Sequence, residues 1–74
     1  MAKAKITNDI RKLRFEHGEM TQQQLADQVS CTRQTIILLE QGKYSPSLTL
    51  AFRIARTFGQ TVDEVFGLIE EDET

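Results

Sequence analysis

An all-α fold of five short, compactly packed helices is the architecture that the sequence predicts, and three observations support it. Apolar residues recur at helical spacing in five segments, each preceded by a Ser, Thr or Asn that can cap a helix. Each of the four glycines stands just after one of these segments, where a residue that accepts positive φ commonly ends a helix. Only short loops remain between the segments, as is usual in helical domains.

Length and charge describe a small domain with an uneven charge distribution. The chain has 74 residues, so we expect residues 1–74 to form one domain, with a basic N-terminal end at 1–5 and a solvated acidic tail at 70–74. The net charge is −2, but six of the eleven acidic residues follow position 62. Residues 1–62 therefore carry nine basic and five acidic residues, a net of +4. Charge alone does not single out a nucleic acid as the partner.

Several classes of protein do not fit this composition. No apolar run approaches the roughly 18 residues of a membrane span, and the N-terminus does not resemble a signal peptide, so we expect a cytoplasmic protein. The lone Cys31 forms no internal disulfide, and a single His17 gives no zinc cluster. We expect Cys31 to fill an apolar slot beneath a turn and His17 to end a helix. No metal, cofactor, small-molecule ligand or enzymatic activity is expected.

The first two helices have clear local signals. A cap at Thr7 or Asn8 predicts a first helix that runs to about His17 and stops at Gly18. Its predicted inner face consists of Ile6, Ile10 and Leu13. Thr21 opens the second helix and forms a capping box with a glutamine three residues on. The inward residues of this helix are Leu25, Ala26 and Val29.

The remaining helices follow the same logic. A turn over residues 30–32 precedes a third helix capped by Thr32, with Ile36 and Leu39 inward and Gly42 at its end. Ser47 caps a fourth helix that ends at Gly59. Its predicted inner face consists of Leu48, Ala51, Ile54, Ala55 and Phe58. Thr61 caps a last helix that carries Val62, Val65 and Phe66 and closes at Gly67.

Two apolar segments near the chain ends have no place on a helix face. Leu68 and Ile69 follow the last predicted helix, and Ala4 and Ile6 stand at the other end. The two segments could pair as short strands or cover a subunit interface. We favour an interface that includes Phe66, because a core this small gains most from a partner.

The two helices between residues 21 and 43 are joined by a tight turn, and such a pair can place its second helix in the DNA major groove. With the motifs TQQQLAD, TRQTI, LEQGKYSPSLTLAFRIARTFG and VDEVF, the chain resembles the lambda-repressor-like helix-turn-helix family. That family includes phage Cro and repressor (CI) proteins and bacterial xenobiotic-response-element (XRE) regulators. The likeness spans about residues 10–66 and is strongest to small stand-alone members.

The resemblance implies a role for individual residues. The residues that match base-contacting positions are Arg33, Gln34 and Leu38. The residues that match DNA-backbone positions are Gln22, Thr32, Thr35, Lys43, Tyr44 and Ser45. Arg14 and Glu40 match a charged pair that ties the first helix to the third in some members.

Two positions depart from the family pattern. Ser30 stands where the family usually has Gly, and a positive φ there would cost about 1 kcal/mol. Leu38 stands where a polar base reader is more usual. Because Ile36 and Leu39 occupy the inner face, we expect Ile37 and Leu38 to form an exposed pair that touches thymine methyls or another protein.

These features lead to one expected function and one alternative. The expected function is sequence-specific DNA binding by a homodimeric repressor that occupies a palindromic operator in double-stranded DNA. The alternative is an antitoxin-type interaction module whose main task is to bind a partner protein. Both functions can use the same fold, so the fold by itself does not choose between them.

Overall fold

The computed structural model describes residues 2–72, in which five helices are flanked by two strands. Met1 and the last two residues of the predicted acidic tail, Glu73 and Thr74, lie outside the described residues. The elements in chain order are β1 Ala2–Asn8, α1 Ile10–Glu16, α2 Gln22–Val29, α3 Arg33–Glu40, α4 Leu48–Thr57, α5 Val62–Val65 and β2 Phe66–Asp72. No helix in this range is long and apolar enough to cross a membrane.

The two terminal strands pair antiparallel, so the all-α prediction is wrong at the chain ends although its five helices are present. In the register, Ile6 pairs with Leu68 and Lys5 with Ile69. The strand pair, which was the less favoured of the two arrangements, is therefore what the apolar ends form. The β1 sequence AKAKITN alternates with the period of two that suits a strand with one covered face.

The strand β1 displaces the predicted start of the first helix. Thr7 and Ile6 lie in β1 and belong to no helix, and α1 begins at Ile10. Asp9 occupies the N-cap position without a side-chain capping bond, whereas Asn8 Oδ1 accepts a hydrogen bond from the Ile10 amide at 3.1 Å. The predicted end is confirmed, since His17 follows Glu16 as the C-cap residue. Asn8 therefore caps α1 from the position before the N-cap residue Asp9.

One continuous core joins the helices, and its most deeply buried side chains are Ile10, Leu25, Val29, Ile36, Leu39, Ile54 and Val65. The prediction of Leu48 as a core residue is wrong, because 71% of it is exposed. Leu50 is buried in its place. With 3.6 residues per turn, Leu48 lies roughly 200° around α4 from Leu50, on the side away from the core.

The last helix is shorter than the sequence predicts. It ends at Val65, and Phe66 is already extended at φ −116° and ψ 147° as the first residue of β2. Gly67 therefore does not stop a helix. A Cβ at this glycine would lie 2.8 Å from Thr7 Oγ1 in the paired strand, so the glycine permits the close approach of the two strands.

The predicted caps of α2 to α5 are confirmed. Thr21 with Gln24, and Thr61 with Glu64, form complete capping boxes. The side chains of Thr32 and Ser47 accept from the backbone amides three residues on, which starts α3 and α4. These bonds satisfy amides that have no partner within the helix, and they fix where each helix begins.

Candidate nucleic-acid interface

The turn between α2 and α3 sets the angle at which the second helix of the pair is presented. Ser30 adopts the left-handed conformation, at φ 61° and ψ 46°. The next amide, of Cys31, donates to the Ala26 carbonyl at 3.0 Å, which closes α2. The positive φ that the sequence allowed for at Ser30 is therefore present, and it costs about 1 kcal/mol relative to glycine.

Cys31 lies in the same turn and is half-buried against the core. Its thiol donates to the Thr32 carbonyl oxygen at 3.5 Å. Burial raises the pKa of the Cys31 thiol above its usual value, so the thiol stays protonated at neutral pH. A protonated thiol is a poor nucleophile, and the residue serves the packing of the turn.

Helix α3 presents a polar side at its N-terminal end. Ile36 and Leu39 are buried as predicted, whereas Arg33 and Gln34 are exposed. The expected exposed pair of Ile37 and Leu38 is not found, because both residues are half-buried. Since each residue turns the helix by about 100°, both lie roughly 130° from the middle of the inner face, so the helical period alone does not account for their partial burial.

The remaining backbone-contact candidates lie at the two ends of α3. At the N-terminal end, Thr32 Oγ1 and Thr35 Oγ1 are 3.0 Å apart, and the Thr32 oxygen also accepts from the Thr35 amide. At the other end, Lys43, Tyr44 and Ser45 are exposed in the loop that follows Gly42. The Lys43 amide donates to the Leu38 carbonyl at 2.9 Å, which holds the start of this loop against the helix.

Arg14 and Glu40 join α1 to α3 through a two-pronged ion pair. Arg14 Nε donates to Glu40 Oε2 at 2.7 Å, and Arg14 Nη2 donates to Glu40 Oε1 at 3.1 Å. The two side chains are only 11% and 10% exposed. A third guanidinium nitrogen, Nη1, donates to the Met20 carbonyl at 2.8 Å, so the arginine also fixes the loop before α2.

Gln22 also belongs to this network, through a contact with Glu40 that was not predicted from the sequence. Its Nε2 donates to Glu40 Oε1 at 3.1 Å, and the side chain is half-buried. One amide hydrogen of Gln22 is thereby engaged, and the other remains available for a phosphate. The signal in the sequence was the Arg14–Glu40 pair, whose carboxylate has more acceptor capacity than the arginine uses.

Among the side chains that the structure describes, no group of three or more His, Cys, Asp or Glu residues could hold a metal ion. The exposed and half-exposed side chains of α3 include a cation, a hydrogen-bonding amide and apolar groups, those of Arg33, Gln34 and Leu38. These are the groups that recognise base edges and phosphates.

Comparison with known proteins matches this architecture. The sequence model of the helix-turn-helix family matches residues 10–65. An uncharacterized HTH-type transcriptional regulator of Methanothermobacter thermautotrophicus is 54% identical over 63 residues, which cover 85% of this chain and 90% of that protein. Another from Methanocaldococcus jannaschii is 46% identical over 68 residues, covering 92% of this chain and 100% of that protein.

A relative with a different name covers nearly the full length. The control protein C.MunI of a Mycoplasma species is 31% identical over 70 residues, which cover 95% of each chain. The family match over residues 10–65 spans all five helices, from Ile10 to Val65, and so includes the α2–α3 turn and its caps. The chain belongs to the Cro/CI-type helix-turn-helix family and is a DNA-binding transcriptional regulator.

Proposed function

We propose that this regulator is a homodimeric repressor that occupies a palindromic operator, with α3 in the major groove. The supporting observation is the division of α3 into two sides. Ile36 and Leu39 are buried, whereas Arg33 and Gln34 are exposed at the N-terminal end, the end that approaches bases in this motif. Only this side of the helix is free to enter a groove.

The three base-reading residues have different chemistry. The Arg33 guanidinium can donate to O6 and N7 of one guanine, and the Gln34 amide can bond N6 and N7 of one adenine. Leu38 has no hydrogen-bonding group, so it reads the apolar C5-methyl of thymine. Its half-buried position leaves part of the side chain for that contact.

Contacts to the DNA backbone set the orientation of α3. Gln22 lies at the start of α2, where unpaired backbone amides and the free amide hydrogen of its side chain favour a phosphate. The hydroxyls of Thr32 and Thr35 supply contacts at the N-terminal end of α3, and the exposed loop residues after Gly42 supply them at the other end. Such contacts position the protein and carry no sequence information.

An apolar groove supports dimerisation through the terminal strands. The groove encloses about 440 Å³, and its apolar lining consists of Ile6, Pro46, Leu48, Ala51, Val62 and Phe66. Leu48 is 71% exposed and Leu68 is 58% exposed. Leu68 pairs with Ile6 and lies two residues after Phe66, so all three side chains share one face of the strand pair. We propose that a second copy covers this face.

The strand register separates the three proposed interface residues. Ile69 pairs with Lys5, so it lies on the face opposite to Leu68. A flat two-fold contact covers one face only, and continuity with the groove favours the face of Phe66 and Leu68. Ile69 then contributes at the edge of the contact. A homodimer of this kind places two α3 helices on successive turns of DNA.

Selection of bound sequences from a library of random duplexes tests the proposal. The expected product is a palindrome whose half-sites lie about one helical turn apart. A duplex of the same composition in shuffled order is the control, and it should bind far more weakly. No enrichment of any sequence would overturn the operator proposal.

We also propose a cytoplasmic location, where a repressor meets its operator, and a function in binding without enzymatic activity.

A further inference from the structure

Two open clefts meet beside the C-terminal end of α3, and both are lined by Asn8 and Glu40. The first cleft runs along β1 towards Gly42 and is lined by Lys5. The second runs along α1 and is lined by Arg11 and Lys12. We call these three cations, Lys5, Arg11 and Lys12, the flank surface. Its members lie on β1 and α1, outside the helix-turn-helix pair and the loop that follows it.

The side chain of Lys5 passes over the end of α3. Its Cε lies 3.5 Å from the point where a Cβ on Gly42 would stand. Gly42 has φ +72° and leads directly into the exposed loop of Lys43, Tyr44 and Ser45. The Lys5 ammonium is therefore a neighbour of the loop proposed to contact the DNA backbone.

Arg11 lies within cation–π distance of an aromatic ring. Its guanidinium carbon lies 5.9 Å from the centre of the Phe15 ring, and that of Arg14 lies 6.0 Å from the same ring. Phe15 is 54% exposed, so it contributes little to the core. A cation–π contact of this kind restricts the Arg11 side chain, so Arg11 loses less entropy when it binds an anion.

The clefts carry a net positive charge. Their acidic side chains are Asp9 and Glu40, and Glu40 is neutralised by Arg14 at 2.7 Å. Only one unpaired carboxylate of the cleft lining, that of Asp9, therefore offsets the three cations of the flank surface. With Arg14 counted, the charged groups around the clefts sum to +2, whereas the whole chain has a net charge of −2.

We propose that the flank surface binds phosphate groups of the DNA backbone next to those held by the loop after Gly42. The inference rests on the proposed mode of DNA binding, with α3 in the major groove. Phosphates follow one another along the strand that the loop contacts, and Lys5 lies against Gly42, where that loop begins. The contacts add affinity without sequence preference, because phosphates carry no sequence information.

Charge removal on the flank surface provides the test. The variants are K5Q, R11Q and K12Q, and the matched control is R56Q, which removes an exposed arginine from the last turn of α4 that lines neither cleft. Binding to the selected operator and to a random duplex is measured by fluorescence anisotropy over a range of salt concentrations. Removal of one phosphate-binding cation should make the slope of log K against log salt shallower by about 0.9, or about 1.8 for two copies in a dimer.

K5Q should weaken both duplexes by the same factor, whereas R56Q should keep the wild-type slope. Circular dichroism verifies that each variant is folded. A second measurement replaces single phosphates by uncharged methylphosphonates. At the phosphate that Lys5 contacts, this replacement should weaken binding by the wild type and should have no effect on binding by K5Q.

The outcomes separate the inference from the function on which it rests. If the wild type binds no duplex, the proposed mode of DNA binding falls, and the flank surface falls with it. If the wild type binds its operator but K5Q has the slope of R56Q and the same sensitivity to methylphosphonates, the inference alone is overturned. A shallower slope together with insensitivity of K5Q to the methylphosphonate supports it.

Discussion

The side chain of Asn8 donates from Nδ2 to the carbonyl oxygen of Leu39 at 2.8 Å, across 31 positions of the chain. The same side chain accepts from the Ile10 amide through Oδ1. Asn8 thus joins the end of β1 to the last turn of α3 while it starts α1. The Leu39 carbonyl also accepts from the Gly42 amide at 3.0 Å, so Asn8 engages the second lone pair of that oxygen.

Asn8→Ala should destabilise the protein by about 1–3 kcal/mol, because it removes the half-buried bond to Leu39 and the bond that starts α1. In Asn8→Asp the carboxylate keeps the acceptor for Ile10, but it loses the donor to Leu39 and sets a negative charge against that carbonyl oxygen. Urea denaturation should therefore place both variants below the wild type. Equal midpoints for all three proteins would show that the Leu39 bond does not matter.

Glu40→Ala should lower the free energy of unfolding by about 3–5 kcal/mol, because it leaves the Arg14 guanidinium buried without its carboxylate. Glu16→Ala, on the exposed side of α1, should change it by less than about 0.5 kcal/mol. The double variant R14M/E40L replaces both charges and should recover much of the stability. A denaturant midpoint of Glu40→Ala near that of the wild type would mean that the pair contributes little.

Gln22 and Gln34 should respond differently in DNA binding. Gln22→Ala removes the proposed phosphate contact and should weaken all duplexes by a similar factor. Gln34→Ala should erode the preference for adenine at one symmetric operator position, worth about 1–3 kcal/mol. Gln23→Ala is the control, because the Gln23 amide bonds Asp27 within α2. Competition binding with single-substitution operators measures the three effects, and a reversed pattern would exchange the two roles.

Leu68→Glu should dissociate the dimer, whereas Ile69→Glu should have a much smaller effect. Leu68 lies on the groove face, where a two-fold contact brings two introduced carboxylates together at a cost of several kcal/mol. Ile69 lies on the other face, and 48% of it is exposed. Sedimentation equilibrium measures the dissociation constants. A stable dimer of Leu68→Glu, or a monomeric wild type at high concentration, contradicts the assignment.

Leu38 should be sensitive to a single methyl group in the operator. Replacing thymines one at a time with deoxyuridine removes the C5-methyl and leaves base pairing intact. One symmetric position should lose about 0.8 kcal/mol per half-site, a few-fold in affinity. The same replacement should not affect Leu38→Ala. Indifference of the wild type at every position would exclude a methyl contact by Leu38.

The helix-turn-helix pair could be predicted from the sequence because its signals are local. The caps at Thr21 and Thr32 and the positive φ at Gly42 each depend on bonds that span a few residues. The alternation of buried and exposed positions along α3 follows from the helical period, which placed Ile36 and Leu39 correctly. The expected roles of the site residues came from the family resemblance, whereas the contacts of these residues came from the structure.

The tertiary structure alone decided the features that depend on distant residues. The pairing of Ile6 with Leu68 cannot be predicted from either segment alone, because the backbone hydrogen bonds of a strand form only with a neighbouring strand. Likewise, Gln22 finds Glu40 only after α2 and α3 have packed. Local signals in the sequence determined where most of the helices begin and end, whereas long-range pairing decided where the chain ends go, because loop closure links residues that no local pattern connects.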